Sequence, residues 1–359
     1  MDFLKNGFFR NKKVLVTGHT GFKGSWLTQM LIELGARVCG YSLEPNTKPN
    51  LFNILKLKKD INHKIGDIRN FQFLNKTAKE FNPDIIFHLA AQPIVRDSYD
   101  NPQYTYEVNI MGTVNILEVI RLNKIKAGVI ITTDKVYKNL KESASFREDD
   151  PLGGYDPYSN SKACADLVAN SYTQSFFNPK NFGIRHNTLI ASARAGNVIG
   201  GGDWAKDRLV PDLIRSIFTN KKKLVIRSPK AVRPWQHVLD PLFGYMLLAE
   251  SLFKGNVDKS GAWNFGPKEN GAKDVKTIVE SFIKILGKGS YVIKGNETKH
   301  ESKRLKLNSD KAKKKLGWQP KLNTEETVKK TASWYKAFYL KSSNMRQYTI
   351  EQIKNYFEK

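Results

Sequence analysis

Cysteine is nearly absent: Cys39 and Cys164 are the two in 359 residues, too few for a disulfide framework and without metal-ligand spacing. Both stand in apolar contexts and read as buried thiols in a reducing compartment; no metal is expected. No run approaches the length of a membrane span, and Met1-Asp2-Phe3-Leu4-Lys5 opens no apolar core long enough for a signal peptide. The expected location is cytoplasmic. Acidic residues are also scarce, 34 against 59 basic ones, which leaves a net charge of +25. Such an excess would suit nucleic acid or an anionic membrane surface. The basic residues are scattered from end to end, however, and Lys221-Lys222-Lys223 and Lys311-Ala312-Lys313-Lys314-Lys315 read as solvated faces. The same field can attract a phosphorylated substrate. Internal repeats and low-complexity linkers are missing too, so a second region, if present, is woven onto the first.

What is present is a globular chain, 40% hydrophobic and 11% aromatic, long enough for one large or two medium domains. Lys13-Val14-Leu15-Val16-Thr17 reads as a buried strand. It runs into Gly18-His19-Thr20-Gly21-Phe22-Lys23-Gly24, and an amphipathic stretch to Leu34 follows, closed by Gly35. Strand, glycine turn and helix form a dinucleotide-binding opening, because glycines let the backbone approach a pyrophosphate at a helix N-terminus. Arg37 to Tyr41 is the next strand. Neither the acid that would hold a ribose 2′-hydroxyl nor an arginine for a 2′-phosphate stands at its end, so the chain leans to NAD. Ile65-Gly66-Asp67-Ile68 ends a third strand, where Asp67 can accept from adenine amino groups or cap a helix starting near Asn70.

Asp84-Ile85-Ile86-Phe87-His88-Leu89-Ala90-Ala91 is the near-continuous apolar run of a central parallel strand. His88 reads as a hydrogen-bonded core histidine, and Ala90 and Ala91 let a cofactor lie close. A long helix from about Pro102 to Leu122 carries Asn109. Gly128 to Thr133 is the next strand, and alternation of strand and helix continues to about Asn181-Phe182-Gly183-Ile184. The fold class is therefore α/β: a doubly wound parallel Rossmann-type sheet with a smaller, mostly C-terminal α/β substrate-binding domain. The expected division is a dinucleotide-binding domain over 1–190, to which the chain returns around 235–265, and a substrate-binding region over 191–359.

Chemistry gathers in Thr132-Thr133-Asp134-Lys135-Val136-Tyr137 and Tyr158-Ser159-Asn160-Ser161-Lys162. Tyr158 and Lys162 are four apart behind Pro157, which can start a helix, so they share one face. An ammonium one turn away favours the phenolate of a tyrosine, which is otherwise a poor base at neutral pH. The same spacing joins Tyr137 to Lys141, but Tyr137 leaves a strand into a polar loop. Later, Ala195-Gly196-Asn197 to Gly200-Gly201-Gly202-Asp203-Trp204 is a glycine-rich loop, and Arg233-Pro234-Trp235-Gln236-His237-Val238 combines a cation with aromatics. These could hold a diphosphate and stack a nucleobase, or be ordinary interdomain packing.

Taken in order, the glycine triplet, Leu89-Ala90-Ala91, Asn109, Thr133, Tyr158 with Lys162, and Leu316-Gly317-Trp318-Gln319-Pro320 resemble the extended short-chain dehydrogenase/reductase superfamily. Thr133-Asp134 is similar to its nucleotide-sugar 4,6-dehydratases. The resemblance implies a hydro-lyase with NAD recycled on the enzyme and a nucleotide sugar as partner. Lys135, where most such enzymes have Glu, points to CDP-glucose. Tyr158 would take the O4 proton during oxidation at C4, and Lys162 would lower its pKa and hold the nicotinamide ribose. Thr133 would align O4, Asp134 would protonate the leaving O6, and Lys135 would take the C5 proton. For NAD the resemblance implies Gly18, Thr20, Gly21, Phe22, Lys23, Asp67, Ile68, Leu89, Ala90, Ala91, Asn109, Thr132, Tyr158 and Lys162. For the substrate it implies Gln92, Asn197, Arg208, Arg233 and Trp235. It further implies a homodimer or homotetramer paired through helices near 102–122 and 157–172. The product would serve deoxysugar biosynthesis for lipopolysaccharide or other surface polysaccharide. The competing readings are a 4-epimerase, a dehydratase of another nucleotide-linked glucose, and a basic non-catalytic binding protein.

Overall fold

The structure, a computed structural model, describes residues 7–138, 145–268, 271–294 and 306–359. Met1 to Lys5 and Lys141 lie outside the described residues. The central sheet has seven parallel strands: β1 (Lys13–Thr17), β2 (Arg37–Ser42), β3 (Asn62–Ile65), β4 (Ile85–His88), β5 (Ala127–Ile131), β6 (Leu189–Arg194) and β7 (Gly261–Asn264). Their spatial order is β3-β2-β1-β4-β5-β6-β7. The order reverses between β1 and β4, the position at which open α/β sheets bind ligands beyond the strand C-termini.

Both faces of the sheet are covered at its centre, which is why β1, β4 and β5 are apolar at consecutive positions. Val14, Val16, Ile85, Phe87, Val129 and Ile131 enter one core, and Leu15, Ile86, Ile130 and Ile190 enter the other. That division is the two-residue side-chain alternation of a strand. Helices α1 (Phe22–Glu33), α2 (Phe71–Phe81), α3 (Gly112–Leu122), α4 (Pro157–Ser175), α5 (Leu209–Phe218), α6 (Leu239–Phe253), α7 (Val275–Leu286), α8 (Thr324–Leu340) and α9 (Met345–Glu358) surround it. After α6 the chain rejoins the sheet as β7. Trp26 of α1 donates to the Gly201 carbonyl (2.9 Å), and a Cβ on Gly201 would meet the Trp334 ring at 2.1 Å. This contact seats the glycine-rich loop between α1 and α8. No helix among the described residues is long and apolar enough to cross a membrane.

Several local expectations are corrected. The stretch near Asn181 to Ile184 is a short 3-10 turn and bend, with Gly183 at positive φ; the strand begins at Leu189, where the apolar run starts. The helix from Pro102 to Leu122 contains a π turn, Glu107–Met111, and Asn109 sits in it. Asn70, not Asp67, caps α2, accepting from Phe73 N–H. Cys164 is half-buried rather than buried. Tyr137 is itself buried, stacked on Phe146, with its hydroxyl bonded to Asn264 and Arg194, and the loop expected after it falls at 139–144, outside the described residues. His88 is the core histidine expected, placed between the Thr17 and Thr113 hydroxyls.

Candidate active site

The site forms where β5 ends and α4 begins. Thr132, Thr133 and Asp134 follow β5 directly and are all buried. Asp134 opens a one-turn 3-10 helix, Asp134–Val136, on which Lys135 is half-buried. Across from it α4 starts at Pro157, capped by Asp156, which accepts from the N–H and the hydroxyl of Ser159 (2.9 and 2.6 Å). Tyr158 therefore stands on the first turn and buried Lys162 on the next, as their spacing requires. Lys162 Nζ donates to the Ile131 carbonyl (2.8 Å), which ties the helix to the strand end.

Burial pushes the Tyr158 phenol up to about 12, against the Thr133 hydroxyl bonded to it and the positive charge of Arg208. Thr133 and Arg208 thus favour the phenolate, in the same sense as the ammonium expected at Lys162. Arg208 comes from the residue before α5 and is ion-paired to Asp203 (3.0 Å). Burial lowers the Lys162 ammonium to about 8, with Asp166 opposing. Burial also lowers Lys23 to about 8; Arg208 and Lys162 act in the same sense, and Asp134 and Asp203 oppose it. Lys23, expected on the cofactor, thus shares its surroundings with Asp134, Lys162 and Arg208.

Asp134 is held by the Thr133 hydroxyl (3.0 Å) and lies 3.5 Å from the Asn197 amide. Asn197 has φ of +46°, and in this structure its side chain turns to the carboxylate. The residue that admits this acid is Gly196, where a Cβ would fall 1.8 Å from Asp134 Oδ2. Sequence reasoning recorded that glycine only as part of a loop. It also missed Asp166 and Arg194, which lie beneath the site.

At the switch between β1 and β4 the backbone leaves a cradle. Gly18 has φ of +73°, and a Cβ there would meet Ala90 N at 2.7 Å; one on Gly24 would meet the Gly18 carbonyl at 2.1 Å. Gly21, the N-cap of α1, offers no side-chain cap to the first-turn N–H groups, which leaves the positive end of the helix free for a phosphate. Thr20 bonds Ser42 and the Leu43 carbonyl at the end of β2. His19, between the glycines, is buried against His63 (Nε2 to Nδ1, 2.7 Å), and burial first, then His63, lowers it to about 3. Ile68 is buried at the rim. The Asp67 carboxylate is held by Arg69, whose hydrogen bonds keep it below the usual range. These residues fit a dinucleotide. Leu89 and Ala91 are half-buried beside Ala90 at the end of β4.

Other expected residues also bond within the protein. Asn109 accepts from Gln92 N–H (2.9 Å) and donates to Ser161 and to the Gln92 carbonyl. The Gln92 side chain bonds Thr105 and Ile94. Arg233 is buried in the short strand Val232–Pro234 and donates to its neighbour's carbonyl. Trp235 belongs to the core, 6% exposed, with its indole N–H on the Lys273 carbonyl.

The profile of the family described as GDP-mannose 4,6 dehydratase matches residues 15–331. The chain is 47% identical to the CDP-glucose 4,6-dehydratase of Salmonella typhimurium, over 98% of both chains. Among solved structures it is similar to a dTDP-glucose 4,6-dehydratase from Bacillus anthracis in complex with NAD, with TM-score 0.74 and 27% identity over 90% of this chain and 96% of that one. A UDP-glucose 4-epimerase from Thermotoga maritima shares the fold, with TM-score 0.77 and 22% identity over 92% of this chain and 99% of that one.

Proposed function

The chain belongs to the GDP-mannose 4,6-dehydratase family, and from that premise we propose that it converts CDP-D-glucose to CDP-4-dehydro-6-deoxy-D-glucose. The observation that carries the reading is that Asp134 stands with Thr133 and Tyr158 at the end of β5, with Lys135 next on the same turn. Epimerisation at C4 has no use for an acid at O6. The CDP preference rests on the full-length similarity to the Salmonella enzyme.

NAD, held by the Gly18–Gly24 cradle, would supply the acceptor for oxidation at C4 and the donor for reduction at C6, with no net redox change. The remaining work falls to the side chains. Tyr158 Oη takes the O4 proton, helped by Thr133 and Arg208, which favour the phenolate against the cost of burial. A ketone at C4 acidifies the C5 hydrogen, and Lys135 removes it. Asp134 gives a proton to the departing O6, its burial keeping bulk water from that transfer, and Lys135 returns a proton to C5 when C6 is reduced. Each placed acid or base is worth about 10²- to 10⁴-fold in rate.

We assign the cofactor to residues 1–190 with the return at 235–265, and the nucleotide sugar to 191–359, with Gln92, Asn197, Arg208, Arg233 and Trp235 on the substrate side. A dimer formed through α3 and α4 would cover Met111, Leu122 and Leu167, each about half exposed; light scattering after gel filtration measures it. The cytoplasm suits the two free thiols.

The test is mass spectrometry of CDP-glucose incubated with the protein and NAD, beside UDP-, GDP- and dTDP-glucose. Loss of one water from the CDP sugar alone is expected. Loss from another sugar overturns the substrate, and unchanged mass with inverted C4 overturns the reaction.

A further inference from the structure

Beneath the catalytic window lies a fully buried ion pair that the reaction scheme does not use. Arg194 at the end of β6 donates to Asp166 on α4 through Nε (2.8 Å) and Nη2 (2.9 Å), and each side chain is 3% exposed. Asp166 also accepts from Thr132 Oγ1 and Ser192 Oγ, both at 2.9 Å. Arg194 Nη1 donates to the Tyr137 hydroxyl (2.7 Å) and the Glu148 carbonyl (2.9 Å). Both oxygens of the carboxylate and all three nitrogens of the guanidinium are thereby engaged.

The chain positions of these partners matter. Asp166 is one helical turn after Lys162, Thr132 precedes Thr133, and Tyr137 is two residues after Lys135. One pair of charges therefore touches the three segments that carry the catalytic groups. We propose that Asp166 and Arg194 are positioning residues that lock the helix bearing Lys162 to the strand end bearing Thr133 and to the turn bearing Lys135. This rests on the dehydratase reading for its chemistry.

A buried ion pair contributes little net stability, since desolvation cancels most of the attraction. A fully satisfied network instead rigidifies its surroundings, and a misplacement of about 1 Å at reacting groups can cost about 100-fold in rate. Asp166 has a second effect, because its charge opposes the burial that lowers Lys162. The guanidinium fork is needed: a lysine at 194 could not bond Asp166 through two nitrogens while reaching Tyr137.

The experiment uses the full chain and the double variant Asp166→Asn with Arg194→Met, which leaves no unpaired buried charge, beside Arg194→Lys. Amide hydrogen exchange is read at Lys138 and Gly153, whose N–H groups bond the Pro151 and Val136 carbonyls. Single-turnover oxidation at C4 is followed across pH. The expected result is a folded double variant with faster exchange at both amides and a rate about 100-fold lower at little-changed KM. The alkaline limb of its profile should move to lower pH, because Lys162 without Asp166 loses its proton sooner. A folded double variant with wild-type exchange and wild-type rate overturns the proposal. Wild-type protein inert toward CDP-glucose would overturn the functional reading instead, and the exchange measurement would still decide the positioning role.

Discussion

Asp134 packs against Gly196 so closely that a Cβ on the glycine would stand 1.8 Å from Oδ2 and 2.0 Å from Cγ of the carboxylate. At that distance something must shift, and the atoms in the way are those of the carboxylate itself, so the acid keeps this place only while position 196 lacks a Cβ. Gly196→Ala is expected to displace Asp134 and slow loss of water about 10²- to 10⁴-fold, while oxidation at C4 survives. Sugar product masses alongside deuterium incorporation at C5 check it. Wild-type loss of water would remove Asp134 from the role of acid.

Lys135 is half-buried on the turn that follows Asp134. Lys135→Ala is expected to abolish solvent deuterium exchange at C5 and slow elimination by a similar factor. Exchange continuing at the wild-type rate would assign the C5 base to another group.

The Tyr158 phenol is raised to about 12 by burial and drawn down by the Thr133 hydroxyl and Arg208. Thr133→Val removes one of the two groups that oppose burial, so the phenol rises further and the phenolate fraction at neutral pH falls. Each unit corresponds to about tenfold. The acidic limb of the C4-oxidation profile is expected to move to higher pH, as rates measured from pH 6 to 10 in steps of about one unit would show. An unmoved limb assigns Thr133 to substrate alignment alone.

An arginine paired with phosphate contributes mainly to binding that is equal in the ground and transition states. Arg233→Ala is expected to raise KM for the nucleotide sugar with a smaller change in kcat. Steady-state kinetics decide it, and an unchanged KM takes Arg233 off the diphosphate.

Asp240, on α6, accepts from Lys321 N–H (2.8 Å) and the Tyr356 hydroxyl (2.9 Å), both at Oδ1, while Oδ2 has no hydrogen-bond partner among the described residues. Burial raises its carboxyl from 3.8 to about 7, against those hydrogen bonds. Between these values the folded chain keeps a proton that the unfolded chain has lost, so stability falls as pH rises across that window. Asp240→Asn stays uncharged throughout. Its melting temperature is expected to gain on wild type between pH 4 and pH 8; a constant difference would show that Asp240 does not titrate in this way.

Much of the molecule was legible without coordinates. Lys13–Thr17, the glycine turn and the helix closed by Gly35 follow one another because strand and helix periods, and the φ freedom of glycine, are local properties. Pro157 and the four-residue spacing placed Tyr158 and Lys162 on one face for the same reason. Elsewhere the local signals are weaker. The alternation expected to run to about Asn181 reaches a turn there, with the next strand at Leu189, and the helix through Asn109 contains a π turn in which that amide bonds Gln92 and Ser161.

By itself, then, the sequence determined the doubly wound sheet, the dinucleotide cradle and the order Thr133, Asp134, Lys135, Tyr158, Lys162. All of these rest on periodicity, backbone conformation and the side chains of neighbouring residues. Only the tertiary structure decided that Arg208 acts on Tyr158, that Gly196 makes room for Asp134, that Trp235 belongs to the core, and that Asp166 meets Arg194 beneath the site. Those relationships join residues far apart in the chain, and they exist only once packing has brought distant segments together and removed water from between them.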